Sequence, residues 1–406
     1  MTMVADVTSL LGPAAGRDNG GPDLGWEVTK LRCETPVTIN AELIAAYQAA
    51  SSPNSIRALA SDLEAFDRWC RRRGQITLPA TPELVADYLH ARSGQGAKPA
   101  SLGRYKASIA KIHQLLELKD PTQSELVKLR LRAIRREKGT AQAQARPLRF
   151  KGPVRDVERD KPRGINVRAL LEACTGDLPG LRDRALLSVA YDTGLRASEL
   201  VSVEVDDILE ALDPEARLLA IHRSKGDQEG EGATAFLSPR SVCAITAWTE
   251  AAAISTGPLF RRVQVRRYKA RAAVKGRAID SISSREAWDL RKTLPKPAAS
   301  ARVEYDVGTA PLHPGSIGPI WRAIIRRAFN AGALSDLTSE DLVRLTKGIS
   351  AHSTRIGLNQ DLFASGEDLA GIMDALRWKS PRMPLAYNRN LAAEAGAVGR
   401  LIGRIG

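Results

Sequence analysis

Between His352 and Tyr387 the chain reads H-S-T-R-I-G (352–357), R-W-K-S (377–380) and A-Y-N-R-N (386–390), placing a histidine, an arginine, a tryptophan and a tyrosine within thirty-six residues. These side chains suit one kind of substrate. A phenolic hydroxyl is a usable nucleophile, while a guanidinium, an imidazole and an indole N–H can hold the oxygens of a phosphodiester by hydrogen bonds. Singly, each has an ordinary explanation: a histidine at a helix start is a cap or a solvated residue, and Trp378 and Tyr387 could be core aromatics. Together they point to phosphodiester chemistry.

Cleaving a phosphodiester builds negative charge on the non-bridging oxygens of a crowded phosphorus, so rigid cations must face it. Guanidinium suits this because its planar fork presents parallel donors and stays protonated. Two arginines stand near expected helix starts. Arg196 lies in Y-D-T-G-L-R-A-S-E-L, where Thr193-Gly194 breaks one helix before another begins, and Glu199 falls on the same face of the new turn, able to orient a neighbouring His or Arg. His352 and Arg355 repeat the spacing of three after Gly348-Ile349-Ser350.

The remainder of the chain fits an acidic partner. Its 406 residues carry a formal charge of +14, with 43% hydrophobic and 26% charged residues. Such a balance gains affinity for a phosphate backbone by releasing counterions. No long apolar run, signal-like N-terminus or basic amphipathic helix with a bulky apolar face favours a membrane, so a soluble, non-secreted, cytoplasmic protein is expected. The four cysteines (Cys33, Cys70, Cys174, Cys243) lack CxxC or Cys/His spacing, which predicts reduced thiols and no zinc site.

The length predicts two domains. Residues 1–35 have Gly-Pro and Asn-Gly-Gly elements without a period and are expected to form a flexible tail. From 36 to 140 the period becomes 3.6. Ile56, Leu59, Leu63, Phe66 and Trp69 make one stripe ending near Arg71-Arg72-Arg73-Gly74; Thr81-Pro82 opens the next helix; Leu102, Tyr105, Ile109, Ile112 and Leu116 mark a third; Thr122 and Glu125 form a capping-box pair at the start of a fourth. The cationic ends and faces of this module, at Arg71, Arg72, Lys98, Arg104, Lys106, Arg130, Arg132, Arg135 and Arg136, are candidate DNA contacts. Residues 141–164 lose the period and read as a linker.

The second domain, 165–406, is expected to be mainly helical. Short β-type runs are predicted at 203–205, 218–221 and 234–237, the last two joined by a polar Ser-Lys-Gly-Asp hairpin tip. The stretch 262–310 is densely basic, then rich in Ser and Pro; it reads as an insertion, either a mobile loop or an added DNA-contacting element. Residues 391–405 are rich in Ala, Leu, Val and Ile and could form an amphipathic docking helix.

The series Arg196, Lys225, His352, Arg355, Trp378, Tyr387, with the motifs S-x-H-S-x-R-x-G, I-M-x-A-x-x-W and Y-x-R-N-L-x-x-E-x-G-A, resembles the tyrosine recombinase (phage integrase) family. The His-to-Tyr interval of thirty-five residues and the Trp-to-Tyr interval of nine agree with it. The likeness covers about residues 40–406. It implies a mainly α protein of tyrosine-recombinase fold: an N-terminal helical core-binding (SAM-like) domain and a C-terminal mixed α/β catalytic domain with a small antiparallel sheet, closing on duplex DNA as a clamp. It also implies a site-specific recombinase that works without metal, ATP or other cofactor.

Under that resemblance Tyr387 is the nucleophile and forms a 3′-phosphotyrosine. Arg196, Arg355 and Trp378 hold the phosphate, Lys225 protonates the 5′-oxygen, His352 assists proton transfer and Glu199 positions the cluster. The implied partners are a double-stranded target with inverted repeats and three further copies of the chain, assembled as a homotetramer through exchange of the C-terminal helix. Two departures stand out. The Arg196-to-His352 interval is longer than the family's, as the insertion would make it, and Lys225 is displaced by one residue, which leaves Lys269 or Lys275 as alternative acids. A type IB topoisomerase shares the chemistry, and a catalytically silent DNA-binding regulator or a basic membrane-surface protein would share the charge.

Overall fold

Proline at the first helical position and a hydroxyl just before it open two helices of the N-terminal half, at Ser52-Pro53 and Thr81-Pro82. The computed structural model describes residues 22–33, 39–141, 144–150, 152, 164–222, 232–275, 295–388 and 402. It divides into two units, Met1–Gln142 and Ala143–Gly406. In the first, α1 (Leu24–Thr29), α2 (Ala41–Ala50), α3 (Pro53–Arg71), α4 (Pro82–Gly94), α5 (Pro99–Leu115) and α6 (Glu125–Lys138) follow one another. Ser52 and Thr81 accept the backbone N–H of Ser55 and Leu84, each at 3.2 Å, and Pro53 and Pro82 follow them. Such caps satisfy donors that the first turn leaves without partners.

The expected stripe on α3 is buried along its length. Ile56, Leu59 and Leu63 join Leu24, Val28, Leu31 and Ile44 in one cluster; Phe66 and Trp69 join Tyr88, Leu89, Ile109, Leu131 and Ile134 in another. Two expectations are corrected here. Residues 24–33 do not belong to a loose tail: α1 inserts Leu24 and Val28 into the core, and the Thr77 and Leu78 backbone N–H groups donate to the Arg32 carbonyl. Residues 1–21 lie outside the described residues. Thr122 is also not the cap of α6. It is wholly buried in a 3₁₀ turn begun by Asp120, and Ser124 supplies the capping oxygen.

The second unit contains α7 (Val167–Glu172), α8 (Leu178–Thr193), α9 (Ala197–Val201), a sheet of β1 (Ile208–Glu210), β2 (Arg217–Ile221) and β3 (Ala233–Leu237), then α10 (Pro239–Ala251). A β-ribbon of β4 (Arg261–Tyr268) and β5 (Arg302–Pro311) precedes α11 (Ile317–Asn330), α12 (Ser339–Thr346), α13 (Ser353–Ser365), α14 (Leu369–Ala375) and α15 (Arg382–Tyr387). The sheet is an antiparallel meander in the order β1-β2-β3, with Arg217 opposite Leu237 and Ile221 opposite Ala233. Residues 203–205, expected as a strand, instead meet the loop before β4: Val205 donates to Gly257 and Val203 accepts from Leu259, while the first strand begins at Ile208.

Helix α8 is the centre of this unit. Ala185, Leu186, Leu187, Val189 and Ala190 are fully buried among residues that include Trp248 and Trp321. Part of the expected linker packs against α13. Leu148 N–H donates to the Ser353 carbonyl at 2.9 Å, and the backbone passes so close that a Cβ on Gly357 would lie 1.8 Å from the Leu148 oxygen. Only glycine permits that approach. Asp361 of α13 then gathers the Arg149 guanidinium, the Phe150 N–H and the Tyr191 hydroxyl, tying α13 to α8.

The insertion 262–310 is not a structureless loop where described. Its outgoing and returning arms pair from Arg261–Pro311 to Tyr268–Arg302, with bridges further out at Arg271–Ala299 and Val274–Lys296. Residues 276–294 are outside the described residues, as are 391–401 and 403–405 of the expected docking helix. All four cysteines are free, and burial pushes the Cys70 and Cys174 thiols up to about 12. Among the described residues no helix is long and apolar enough to cross a membrane.

Candidate active site

Arg196 is delivered by a tight turn between α8 and α9. The Thr193 hydroxyl bonds back to the Val189 carbonyl at 2.7 Å, and Gly194 takes a φ of +57°. That left-handed backbone favours glycine, and a Cβ there would meet Leu376 Cδ2 at 2.4 Å, so the leucine would have to move to admit one. The chain then enters α9 with Arg196 at its N-cap. Glu199 accepts the Arg196 backbone N–H at 2.9 Å and its guanidinium at 2.7 Å. Burial works against the Glu199 carboxylate, but these bonds, with the nearby positive charges of Arg196 and Arg355, outweigh it and hold the carboxyl below its usual pKa.

Arg355, in the first turn of α13, is 1% exposed. Its Nη1 donates to the Gly194 carbonyl and its Nη2 to the Leu376 carbonyl. The guanidinium carbon lies 4.8 Å from the centre of the Trp378 ring, a cation–π distance. Burial, then the charges of Arg196 and Arg377, push its pKa down. A guanidinium nevertheless stays protonated at any working pH. The physical meaning is a positive field with few local anions: three guanidiniums interact with the one buried carboxylate of Glu199. An arriving phosphate would relieve it.

Tyr387 closes the arrangement as the last residue of α15. Its ring centre is 5.8 Å from that of Trp378, tilted by 45°. The backbone around it is held from α13: Gln360 donates to the Tyr387 carbonyl at 3.0 Å and Asn359 to the Asn388 side chain at 2.8 Å. Burial raises the Tyr387 hydroxyl pKa, and the charges of Arg355 and Arg196 partly offset this. The hydroxyl is therefore a neutral donor at rest, facing cations that would stabilise it once ionised.

The structure thus brings Arg196, Glu199, Arg355, Trp378 and Tyr387 into one cluster. His352 is exposed at the N-cap of α13, three residues ahead of Arg355. Lys225 falls in 223–231, outside the described residues, on the connection between β2 and β3. The far end of β3 is tied close to the arginines: Asp192, four residues before Arg196, accepts the Ser238 N–H at 3.0 Å and also bonds Arg240 and the Ser238 and Ser241 hydroxyls. The alternative acids Lys269 and Lys275 lie on the exposed ribbon.

One member of the cluster was not foreseen. Arg377 sits at φ +52°, a left-handed conformation rare for a residue with a side chain, and its Nη2 donates to the Thr193 carbonyl at 2.9 Å. Arg377 and Arg355 therefore hold two successive carbonyls just before Arg196. The only signal in the sequence was a basic residue adjoining Trp378.

The basic residues of the first unit are less uniform than their sequence suggested. Arg71 bonds Asp67 and the Lys30 carbonyl; Arg104 pairs with Asp62 at 3.0 Å and stacks over Tyr105. Both have structural partners, yet their side chains remain 51% and 52% exposed. Arg72, Lys98, Arg132, Arg135 and Arg136 are exposed, and Lys106 and Arg130 are half-buried.

Both units of the chain are similar to known proteins. Residues 163–289 match the phage integrase family and residues 46–119 match the phage integrase N-terminal SAM-like domain. The first match ends inside the ribbon insertion, so it includes Arg196 and Glu199 but stops short of His352. Recombinase Cre of Escherichia phage P1 is 25% identical over 357 residues, 87% of this chain and 89% of that protein. An integrase/recombinase XerD homolog of Selenomonas ruminantium is 29% identical over 224 residues, and the chain spans only 60% of that relative's length. Tyrosine recombinase XerD of Pseudomonas putida is 33% identical over 165 residues, 39% of this chain and 47% of that one. Among solved structures, the Tn1549 transposon integrase in complex with transposon right end DNA shares the fold, with a TM-score of 0.50, 12% identity and coverage of 84% and 91%. With an N-terminal SAM-like unit, a catalytic unit and the arginine–tyrosine cluster in place, the chain belongs to the tyrosine recombinase (phage integrase) family.

Proposed function

We propose that the protein is a site-specific DNA recombinase that cuts and rejoins strands through Tyr387. The observation that carries this reading is the meeting of Tyr387 with Trp378 and the buried Arg355 beside Arg196 and Glu199, a nucleophile set against fixed cations. Arg196 and Arg355 hold the non-bridging oxygens and take up the charge of the five-coordinate phosphorus; because carbonyls and Glu199 already orient them, little reorganisation accompanies the reaction. The Trp378 indole N–H adds a neutral donor to the same phosphate.

As the bond from Tyr387 Oη to phosphorus forms, the bond from phosphorus to the 5′-oxygen breaks. The tyrosine proton leaves with help from His352, and Lys225 supplies a proton to the departing 5′-oxygen. A 3′-phosphotyrosine and a 5′-hydroxyl result. The reverse attack by a 5′-hydroxyl from another duplex completes exchange without an external energy source, since one phosphodiester replaces another. Protein cations do the electrostatic work here, so neither metal nor nucleotide cofactor enters the scheme.

The helical unit and the catalytic unit both engage duplex DNA, with inverted repeats as the target and four copies of the chain on two sites. The segment 391–405 is the candidate contact between copies. The test is covalent trapping on a nicked duplex whose short 5′-ended fragment diffuses away after cleavage. Wild type should accumulate a protein–DNA adduct that survives denaturant, whereas Tyr387→Phe should give none while binding the duplex as before. An adduct persisting in Tyr387→Phe would overturn the assignment.

A further inference from the structure

The β4–β5 ribbon carries charge far out of proportion to its length. Seven of the fifteen residues 261–275 are Lys or Arg and none is acidic; the returning residues 295–311 add two basic and two acidic side chains. The net of +7 is half of the whole chain's +14. The ribbon is also exposed almost throughout. Its one described ion pair is Arg302–Glu304, within a single strand; among the described residues no carboxylate pairs with Arg266, Arg267, Lys269 or Arg271.

How the ribbon is rooted shows which part is available. Alternation along a strand places Val263, Val265 and Arg267 on one face with their partners Val307, Tyr305 and Val303. Near the root this face is spent on the fold: Val263 and Val307 pack against the catalytic core, and the Tyr305 hydroxyl reaches Asp177 at 3.2 Å. By Arg267 and Val303 the same face has left the domain and become solvent-exposed and cationic, while Arg266 projects from the opposite face. From Arg262 to Val274 the arm spans up to about 40 Å, a little more than one turn of B-form DNA. Exposed lysines and arginines on both faces, without carboxylate partners and outnumbering the exposed Tyr268, Val274 and Val303 among them, match two walls of phosphates better than the core of a protein interface, which is depleted of charge.

We propose that the outer ribbon, through Arg266, Arg267, Lys269 and Arg271, grips DNA phosphates independently of base sequence, adding a contact to those made by the arginine–tyrosine site and the helical unit. The proposal rests on the reading of DNA as substrate and extends it to an element outside the reacting centre. A two-stranded ribbon is narrow enough for a major groove about 12 Å wide, whose rims are phosphates.

The full-length protein tests this. Binding to a fluorescent random-sequence duplex is measured over a series of salt concentrations for wild type, for the combined Arg266→Ala, Arg267→Ala, Lys269→Ala and Arg271→Ala variant, and for one replacing the three arginines by Lys. Each lost phosphate contact should flatten the slope of log affinity against log salt by about 0.9. The alanine variant should therefore be shallower by up to about 3.6 and weaker at low salt, and the lysine variant should retain the wild-type slope. Unchanged slope and affinity in the alanine variant would overturn the proposal. So would an unchanged slope accompanied by lost self-association on DNA, which would assign the ribbon to contacts between copies. Trapping on the nicked duplex, run on the same wild-type sample, reports on Tyr387 separately: failure there removes the recombinase reading and leaves the slope result standing.

Discussion

The arginines around Tyr387 and those on α6 are the same residue type in opposite environments. Arg355 is buried, and its donors are assigned to carbonyls of Gly194 and Leu376. Arg132, Arg135 and Arg136 stand in solvent on the face of α6 opposite Val127, Leu131 and Ile134. A buried, pre-oriented charge acts at short range on a transition state. An exposed one is screened within about 8–10 Å at physiological salt and chiefly adds affinity. The contrast predicts that damage to the first group appears in the rate of cleavage and damage to the second in binding.

The sharpest way to break this contrast is at Arg355. Arg355→Lys keeps a charge but loses the fork that spans two carbonyls, and cleavage at saturating DNA should slow about 100- to 1,000-fold. Replacing Arg132, Arg135 and Arg136 together by Ala should lower affinity and flatten its salt dependence, with the cleavage rate at saturation nearly unchanged. Single-turnover trapping on the nicked duplex reads both. If the α6 variant loses its saturated rate as Arg355→Lys does, the division of labour is wrong.

Arg377 refines the contrast because it is half-buried and bonded to the backbone without being one of the expected phosphate ligands. Arg377→Gly suits the left-handed backbone and removes the guanidinium, so folding should be little disturbed while cleavage falls on the order of tenfold, the size typical of losing a supporting contact. Arg377→Lys should recover part of the rate, since an ammonium can still donate to the Thr193 carbonyl. Equal loss in both variants would limit Arg377 to a packing role.

The smallest effect concerns Glu199. Its folded-state pKa lies below its unfolded value, near 4.3. The carboxylate therefore contributes stability that is present above that value and is lost as pH falls through the folded pKa. Glu199→Gln should be less stable at neutral pH and show a shallower decline in acid, measured by urea unfolding from neutrality to about pH 3. A decline as steep as that of wild type would mean that other carboxyl groups account for it.

What could be read in the sequence was local or periodic. Thr81-Pro82 starts a helix because both signals act within one turn, and the α3 stripe predicts its own burial. Thr193-Gly194 before Arg196 was legible for the same reason. Long-range pairing was not. The ribbon depends on Val263 meeting Val307 across forty-four positions, and its Ser- and Pro-rich middle hides the alternation. Six-residue α1 has fewer than two helical periods to betray it; tertiary burial of Leu24 and Val28 makes it a helix. Ser124 displaced Thr122 as cap because Asp120 had already begun a turn around Thr122. At the site, residue types and spacing pointed to Tyr387 and the two arginines, whereas the left-handed backbone of Arg377 is a property of the folded chain.

The bonds from Arg355 to Gly194 and Leu376 join parts of the chain 161 and 21 residues away. During synthesis the Arg196 turn, already braced by Glu199, leaves the ribosome well before α13, which must dock on α8 before Arg355 meets the Gly194 carbonyl. Loop closure over such a distance comes late and depends on the rest of the unit being folded. The nucleophile emerges later still. On the proposed mechanism, an unfinished chain has no means to nick the DNA it touches, and cutting activity arrives only with the assembled fold.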